Sequence, residues 1–153
     1  MLAMTAASEL SASAVATVLT LGQHDGQSIS DLASVTGLSH SATVRLVDRL
    51  ASDGLVQRST QKQGRHVPIF LTYEGRAAYQ NLRSHQSGFL DDLLADLSQE
   101  DKDNLERILE RLLSKLTTSR AARDHICRNC DEGICEQASC PVEMTYLQTV
   151  ARG

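Results

Sequence analysis

The chain has 153 residues, 41% of them hydrophobic, and a formal net charge of −4. That length allows one real core with a small appendage. With no Trp and 3% aromatic content, the core must come from Leu, Val, Ile and Ala. Export and a membrane span are not expected: Met1–Leu21 is partly apolar but holds Glu9 and many Ser and Thr, lacks a basic start and a cleavage site, and no run approaches a membrane span. Two prolines and a Leu-rich C-terminal half favour helices, so a soluble, mainly helical, cytoplasmic protein is expected.

Taken in chain order, residues 9–22 make a helix with Leu10, Ala14, Val18 and Leu21 on one face, broken by Gly22, Asp25 and Gly26. Ser28 stands three residues before Asp31, a capping-box start for a short helix Ile29–Val35 that turns Ile29, Leu32 and Ala33 inward. Gly37 suits a left-handed turn. Ser39 is a natural N-cap for a helix His40–Ser52, with Val44, Val47 and Leu50 or Ala51 against the core. Asp53-Gly54 stops it.

Two strand-like pieces follow, Leu55–Ser59 and Val67–Thr72, joined by the polar, basic linker 60–66. That pattern predicts a β-hairpin with an exposed basic tip, and Pro68, which cannot donate to a ladder, is expected at an edge or outward-facing position. Thr72 can cap a long helix Tyr73–Leu97. Ser98 with Asp101 opens another, on which Leu105, Leu109, Leu112 and Leu116 form a coiled-coil-like stripe backed by Ile108 and Leu113.

Charge is segregated along this order. From His40 to Arg65 five basic residues (Arg45, Arg49, Arg58, Lys62, Arg65) face two acids, whereas Asp91–Glu110 holds eight acids against Lys102 and Arg107. A locally basic surface joined to an acidic helical region suits a protein that meets phosphate with one end only. A helix–turn–helix followed by a two-stranded wing lays one helix in the DNA major groove while the hairpin reaches the neighbouring backbone or minor groove. His40, Ser41, Thr43, Arg45 and Arg49 are the expected groove-facing residues, since Arg can bond guanine bidentately and Ser, Thr and His reach bases or phosphate.

The run from Leu32 to Arg58 resembles the DNA-binding core of the MarR (multiple antibiotic resistance regulator) family. Leu71-Thr72-Tyr73-Glu74-Gly75-Arg76 resembles the segment that ends the family's wing, and Leu94, Leu97, Ser98, Glu100 and Asp101 match a further stretch before its leucine-striped helix. The likeness covers roughly residues 10–118. It implies a mainly α winged helix-turn-helix protein with a two-stranded β wing and a helical dimerisation stem, usually a dimeric repressor on a pseudo-palindromic operator in double-stranded DNA. Ser39, Ser41, Thr43, Arg45 and Arg49 would then lie along the recognition helix, Lys62 would sit in the wing, and Arg65 would be the wing-tip arginine entering the minor groove. The implied organisation is an N-terminal helix (1–22), a DNA-binding domain (23–76), a helical dimerisation region (77–120) and a Cys-rich segment (121–153).

Departures from the family pattern carry their own expectations. Gln63 stands where the family has an aspartate bracing the wing arginine, weakening that brace to a neutral hydrogen bond. Only eight residues precede Glu9, so the family's first stem helix is expected to be missing or the start codon misassigned, with the cysteine tail packing in its place. Tyr73, Tyr79 and Phe89 are candidates to line an effector pocket, with core or interface packing as the alternative.

All four cysteines lie in that tail, as Cys127-x2-Cys130-x4-Cys135-x4-Cys140. The spacing is that of a zinc knuckle with Cys135 in the histidine's place, and four thiolates around Zn2+ would be a closed, non-catalytic site. The x2 loop is expected to point backbone amides at the sulfurs of Cys127 and Cys130, and Gly133 to ease the turn to Cys135. An iron–sulfur cluster, thiol-redox sensing with oxidation to disulfides, and unligated thiols stay open beside zinc. His125 could substitute as a ligand but reads more simply as a solvated or capping residue. The segment has too few apolar residues to hold its shape by burial, so a metal staple is expected.

No enzyme is expected. Cys127-Arg128-Asn129-Cys130 is a C-x-x-C without the βαβ surroundings of a thiol oxidoreductase, and no nucleophile elbow, phosphate-cradling glycine loop or H-E-x-x-H occurs. A protein-binding adaptor is the remaining alternative. A small-molecule or redox effector that changes DNA affinity is the expected form of regulation.

Overall fold

The structure is a computed structural model describing residues 10–61, 66–131 and 133–151. Its elements are α1 (Ala12–Gln23), α2 (Ile29–Thr36), α3 (His40–Ser52), β1 (Val56–Arg58), β2 (Ile69–Leu71), α4 (Tyr73–Leu94), α5 (Gln99–Leu116), α6 (Arg120–Cys127) and α7 (Pro141–Ala151). They form two compact units, residues 1–89 and 90–153. Among the described residues no helix is long and apolar enough to cross a membrane.

In the first unit the helix starts follow the side-chain oxygens. Ser11, Ser28 and Ser39 each accept from an amide in the first turn of α1, α2 and α3. At α2 the capping box is complete: the Asp31 carboxylate accepts from the Ser28 amide at 3.0 Å while the Ser28 hydroxyl accepts from the Asp31 amide at 3.2 Å. Gly37 ends α2 with φ of 71°, the left-handed turn expected of it. The expected start of α1 at Glu9 lies outside the described residues.

α1 is buried on all sides from Ala14 to Leu21, not on one face. The stretch has no charged residue between Glu9 and His24. Its two polar residues are neutralised locally, the Thr17 and Thr20 hydroxyls donating to the Ser13 and Ala16 carbonyls at 2.8 Å. Around it pack Leu32 of α2, Val47 and Leu50 of α3, Val56, Ile69 and Leu71 of the strands, and Leu82 of α4. Fully burying one such leucine contributes roughly 1.5–3 kcal/mol.

β1 and β2 pair antiparallel with Val56 opposite Leu71 and Arg58 opposite Ile69. The other edge of β2 is bridged by Gln27, whose carbonyl accepts from the Ile69 amide at 3.0 Å. Pro68, expected at an edge or outward-facing position, stands just before β2 with its ring buried. It precedes the ladder, so its missing donor costs nothing there. Its carbonyl accepts from the Ser59 amide at 2.8 Å, and the turn at Gly26 lies against its ring.

The Leu71–Arg76 stretch fixes where α4 begins. The Thr72 hydroxyl donates to the Gly54 carbonyl at 2.6 Å and accepts from the Gly75 amide at 3.0 Å, so it caps α4 and ties it to the end of α3. Gly75 is pressed on the Leu55 backbone, and a Cβ there would overlap the Leu55 carbonyl oxygen. Arg76 reaches Asp25 at 3.2 Å on the surface.

In the second unit Ser98 caps α5, its hydroxyl accepting from the Asp101 amide at 3.2 Å, and α7 packs against α5 and α6. Helices α6 and α7 flank the cysteines where sequence patterning had predicted only a metal-held loop.

Two glycines of α4 yield opposite outcomes for one substitution. Gly75→Ala must displace backbone and is expected to cost about 1–3 kcal/mol or more. Gly88, with nothing within 4 Å of an added Cβ, is expected to gain about 0.5–1 kcal/mol on becoming Ala, through helix propensity. Urea unfolding followed by circular dichroism measures both.

Candidate nucleic-acid interface and cysteine segment

Helix α3 has one buried and one open side. Thr43, Val47 and Leu50 are buried at i, i+4 and i+7. The open side carries Ser41, Arg45, Asp48 and Arg49, with Ser39 and His40 exposed at the N-terminal end. Thr43 departs from the expected groove-facing set: its side chain is 0% exposed and its hydroxyl donates to the Ser39 carbonyl at 3.0 Å. Back-bonding to the helix satisfies the hydroxyl, which lets Thr43 take the inward position expected of Val44, itself half-buried.

Five of the sequence-predicted DNA-contacting residues, Ser39, His40, Ser41, Arg45 and Arg49, thus share one accessible region. Ser39 is partly committed, since its hydroxyl accepts from the Ala42 amide at 3.3 Å and lies 3.3 Å from the Ser41 hydroxyl. The N-terminal end of a helix presents unpaired amides and the positive end of the macrodipole, which suits phosphate. Lys62 and Arg65, with Gln63, lie outside the described residues. At the base of the wing Arg58 pairs with Asp48 at 2.7 Å. Arg58 was counted in the basic stretch without a role. Its pairing holds β1 to α3 and cancels a carboxylate on the open side of that helix. Exposed pairs of this kind contribute up to about 1 kcal/mol.

The aromatic candidates for an effector pocket do not gather. Tyr73 is 87% exposed, while Tyr79 packs over Gly22 and beneath Arg83, whose guanidinium lies 5.6 Å from its ring.

The cysteine segment is a series of tight turns between α6 and α7. Cys127 ends α6, and the Cys130 amide donates to the Cys127 carbonyl at 2.9 Å. The Cys135 amide donates to the Asp131 carbonyl at 2.8 Å, and the Asp131 carboxylate accepts from the Gly133 amide at 3.0 Å. The Met144 amide donates to the Cys140 carbonyl as α7 begins at Pro141. The Cys130 amide, in the x2 loop expected to serve sulfur, is therefore directed at a carbonyl. All four cysteines are half-buried. Among the described residues no three His, Cys, Asp or Glu side chains converge as a metal-holding group.

The closure of this hairpin comes from Arg123. Its Nε donates to the Glu143 carboxylate at 2.5 Å, Nη1 to Asp124 at 3.1 Å, and its guanidinium lies 5.2 Å from the Tyr146 ring. The hydrogen bond to Glu143 holds the guanidinium pKa above its usual value against the opposing effect of burial, whereas burial lowers that of Arg128. Sequence spacing gave no sign of this contact, because its partners are twenty residues apart on two separate helices.

Comparisons with known proteins agree with this geometry. The MarR family model matches residues 10–66. The transcriptional repressor MprA of Escherichia coli (strain K12) is 30% identical over 102 residues, covering 65% of this chain and 58% of that repressor. The chain thus spans less than two thirds of that relative. A MarR-family transcriptional regulator from Silicibacter pomeroyi is 27% identical with a TM-score of 0.55, covering 73% of this chain and 76% of that one. A MarR family protein from Bacillus stearothermophilus shares the fold at 23% identity and a TM-score of 0.66, covering 75% and 81%.

Removing the Arg123 closure tests its weight. Arg123→Ala is expected to cost about 1.5–3 kcal/mol, local to α6 and α7. Hydrogen exchange should quicken in those two helices and stay unchanged in α1–α3. Uniform quickening across α1–α7, or no change in α7, would show that the ion pair does not hold the hairpin.

Proposed function

We propose that this protein, whose residues 10–66 match the MarR family model, is a cytoplasmic, DNA-binding transcriptional regulator of that family, a repressor working as a homodimer, and not an enzyme. The observation that carries the reading is the open side of α3, where Ser41, Arg45 and Arg49 stand beside an exposed helix N-terminus and a β wing. In the proposed complex that side enters the major groove, the amides and hydroxyls near Ser39 and Ser41 meet phosphate, and Arg45 and Arg49 read base edges or neighbouring phosphates. Lys62 and Arg65 of the wing follow the backbone into the minor groove. Two such helices, about 34 Å apart, match two half-sites of a pseudo-palindromic operator. A small-molecule or redox effector would change affinity by changing that spacing.

Dimerisation is supported by the apolar stripe of α5. Ile108, Leu112 and Leu116 are 53%, 51% and 62% exposed in the single chain, with Met144, Leu147 and Val150 of α7 exposed as well. Exposed apolar residues in this number mark an association surface. The packing of α7 on α5 supports the cysteine tail as part of the stem.

DNA binding is expected to weaken steeply with salt. Arg65→Ala and Arg45→Ala should each lower the slope of log affinity against log salt by about 1. Thr43→Val should change stability and leave the slope alone, and Leu112→Glu should weaken binding by splitting the dimer. Absence of salt-dependent duplex binding would sink the reading.

Zinc is the proposed ligand of the cysteine tail, resting on ligand spacing alone. The ligands would be Cys127, Cys130, Cys135 and Cys140. Elemental analysis of protein purified without air is expected to give one zinc per chain, lost in a Cys130→Ser/Cys135→Ser variant. Iron with sulfide would replace zinc by a cluster, and metal-free reactive thiols would leave redox sensing.

A further inference from the structure

The second unit holds an open cavity of about 540 Å3 between α5 and the turn leading into α7. Its size lies within the range of small-molecule sites, roughly 300–1,000 Å3. Leu94, Leu105, Leu109, Leu113 and Pro141 supply an apolar wall. The rim is charged and one-sided: Glu106, Glu110 and Glu136 against Lys102 alone. On α5 these residues recur at three- and four-residue steps, so one edge of a single helix offers leucine and carboxylate together.

That combination selects its occupant. An anion would meet an excess of carboxylate, and in a site with low-dielectric walls such repulsion is stronger than in water. A neutral apolar molecule would leave the carboxylates unused. A bare metal ion would leave the leucines unused, and among the described residues no three ligating side chains converge. A second copy of the chain would meet the same carboxylates, and it has the adjoining side of α5, where Ile108 and Leu112 line a separate depression with Arg111 and Lys115. The expected stripe is divided, Leu105 and Leu109 facing this cavity.

We propose that this cavity is a binding site for a small amphiphilic organic cation, its apolar body against Leu105, Leu109 and Leu113 and its positive charge toward Glu106 and Glu110. The inference does not depend on DNA binding.

Two ions of one size and shape but opposite charge provide the test. Calorimetric titration of the full chain without DNA is expected to show tetraphenylphosphonium binding at one per chain, and tetraphenylborate at least about tenfold weaker. Glu106→Gln/Glu110→Gln should weaken tetraphenylphosphonium several-fold. Lys102→Gln should strengthen it, and Glu100→Gln, on the same helix outside the cavity, should leave it unchanged. Equal binding of both ions, an equal loss in the Glu100 variant, or no binding of either ion, as when a second copy fills the groove, would overturn the proposal. None of these results bears on operator binding, which is measured separately.

Discussion

The first unit depends on one hydroxyl. Thr72 donates to the Gly54 carbonyl and accepts from the Gly75 amide, while its own amide donates to the Leu55 carbonyl at 3.1 Å. Three chain segments meet there: the end of α3, the entry to β1 and the first turn of α4. Gly75 is required because the Leu55 backbone occupies the space a side chain would take. The residues on the open side of α3 can serve DNA only if the helix is held at a fixed angle to the wing. A small hydrogen-bonded node does this with backbone groups that sequence variation elsewhere does not touch.

Electrostatics then divides the work. Carboxylates concentrate between Asp91 and Glu110 and basic residues between Arg45 and Arg65, so a net charge of −4 conceals a region suited to phosphate. Asp48 would spoil that region were it unpaired, and Arg58 at 2.7 Å removes most of its effect. The pair contributes little to stability. Its larger consequence is that, among the described residues, Arg45 and Arg49 no longer share the open side of the helix with an unpaired Asp48.

Much of the first unit was legible in the sequence because local rules and the global fold agree there. Ser28 with Asp31, Gly37, and Ser39 each act locally, and each cap stands where it was expected. The inward side of α3 was misread by one residue, since hydrophobicity alone favours Val44 over Thr43 and takes no account of a hydroxyl that can bond back to its own helix. For Pro68 the exclusion from the ladder was legible because it is local, whereas its burial depends on the Gly26 turn, about forty residues earlier. Of the candidate interface, the exposed polar positions were legible from helical period, whereas the Arg58–Asp48 pairing needed the hairpin register.

The cysteine tail shows the limit most clearly. Spacing states which sulfurs are able to share an ion, not what holds the chain between them. Here the Arg123–Glu143 pair and the Tyr146 ring join α6 to α7, a contact that ligand spacing does not reveal. A metal would act on the turns between the helices. Cys135 and Cys140 stand in the wall of the α5 cavity, so any ligand that draws the thiols together also reshapes that wall. By linkage, an occupant of the cavity must bias the thiols to the same degree.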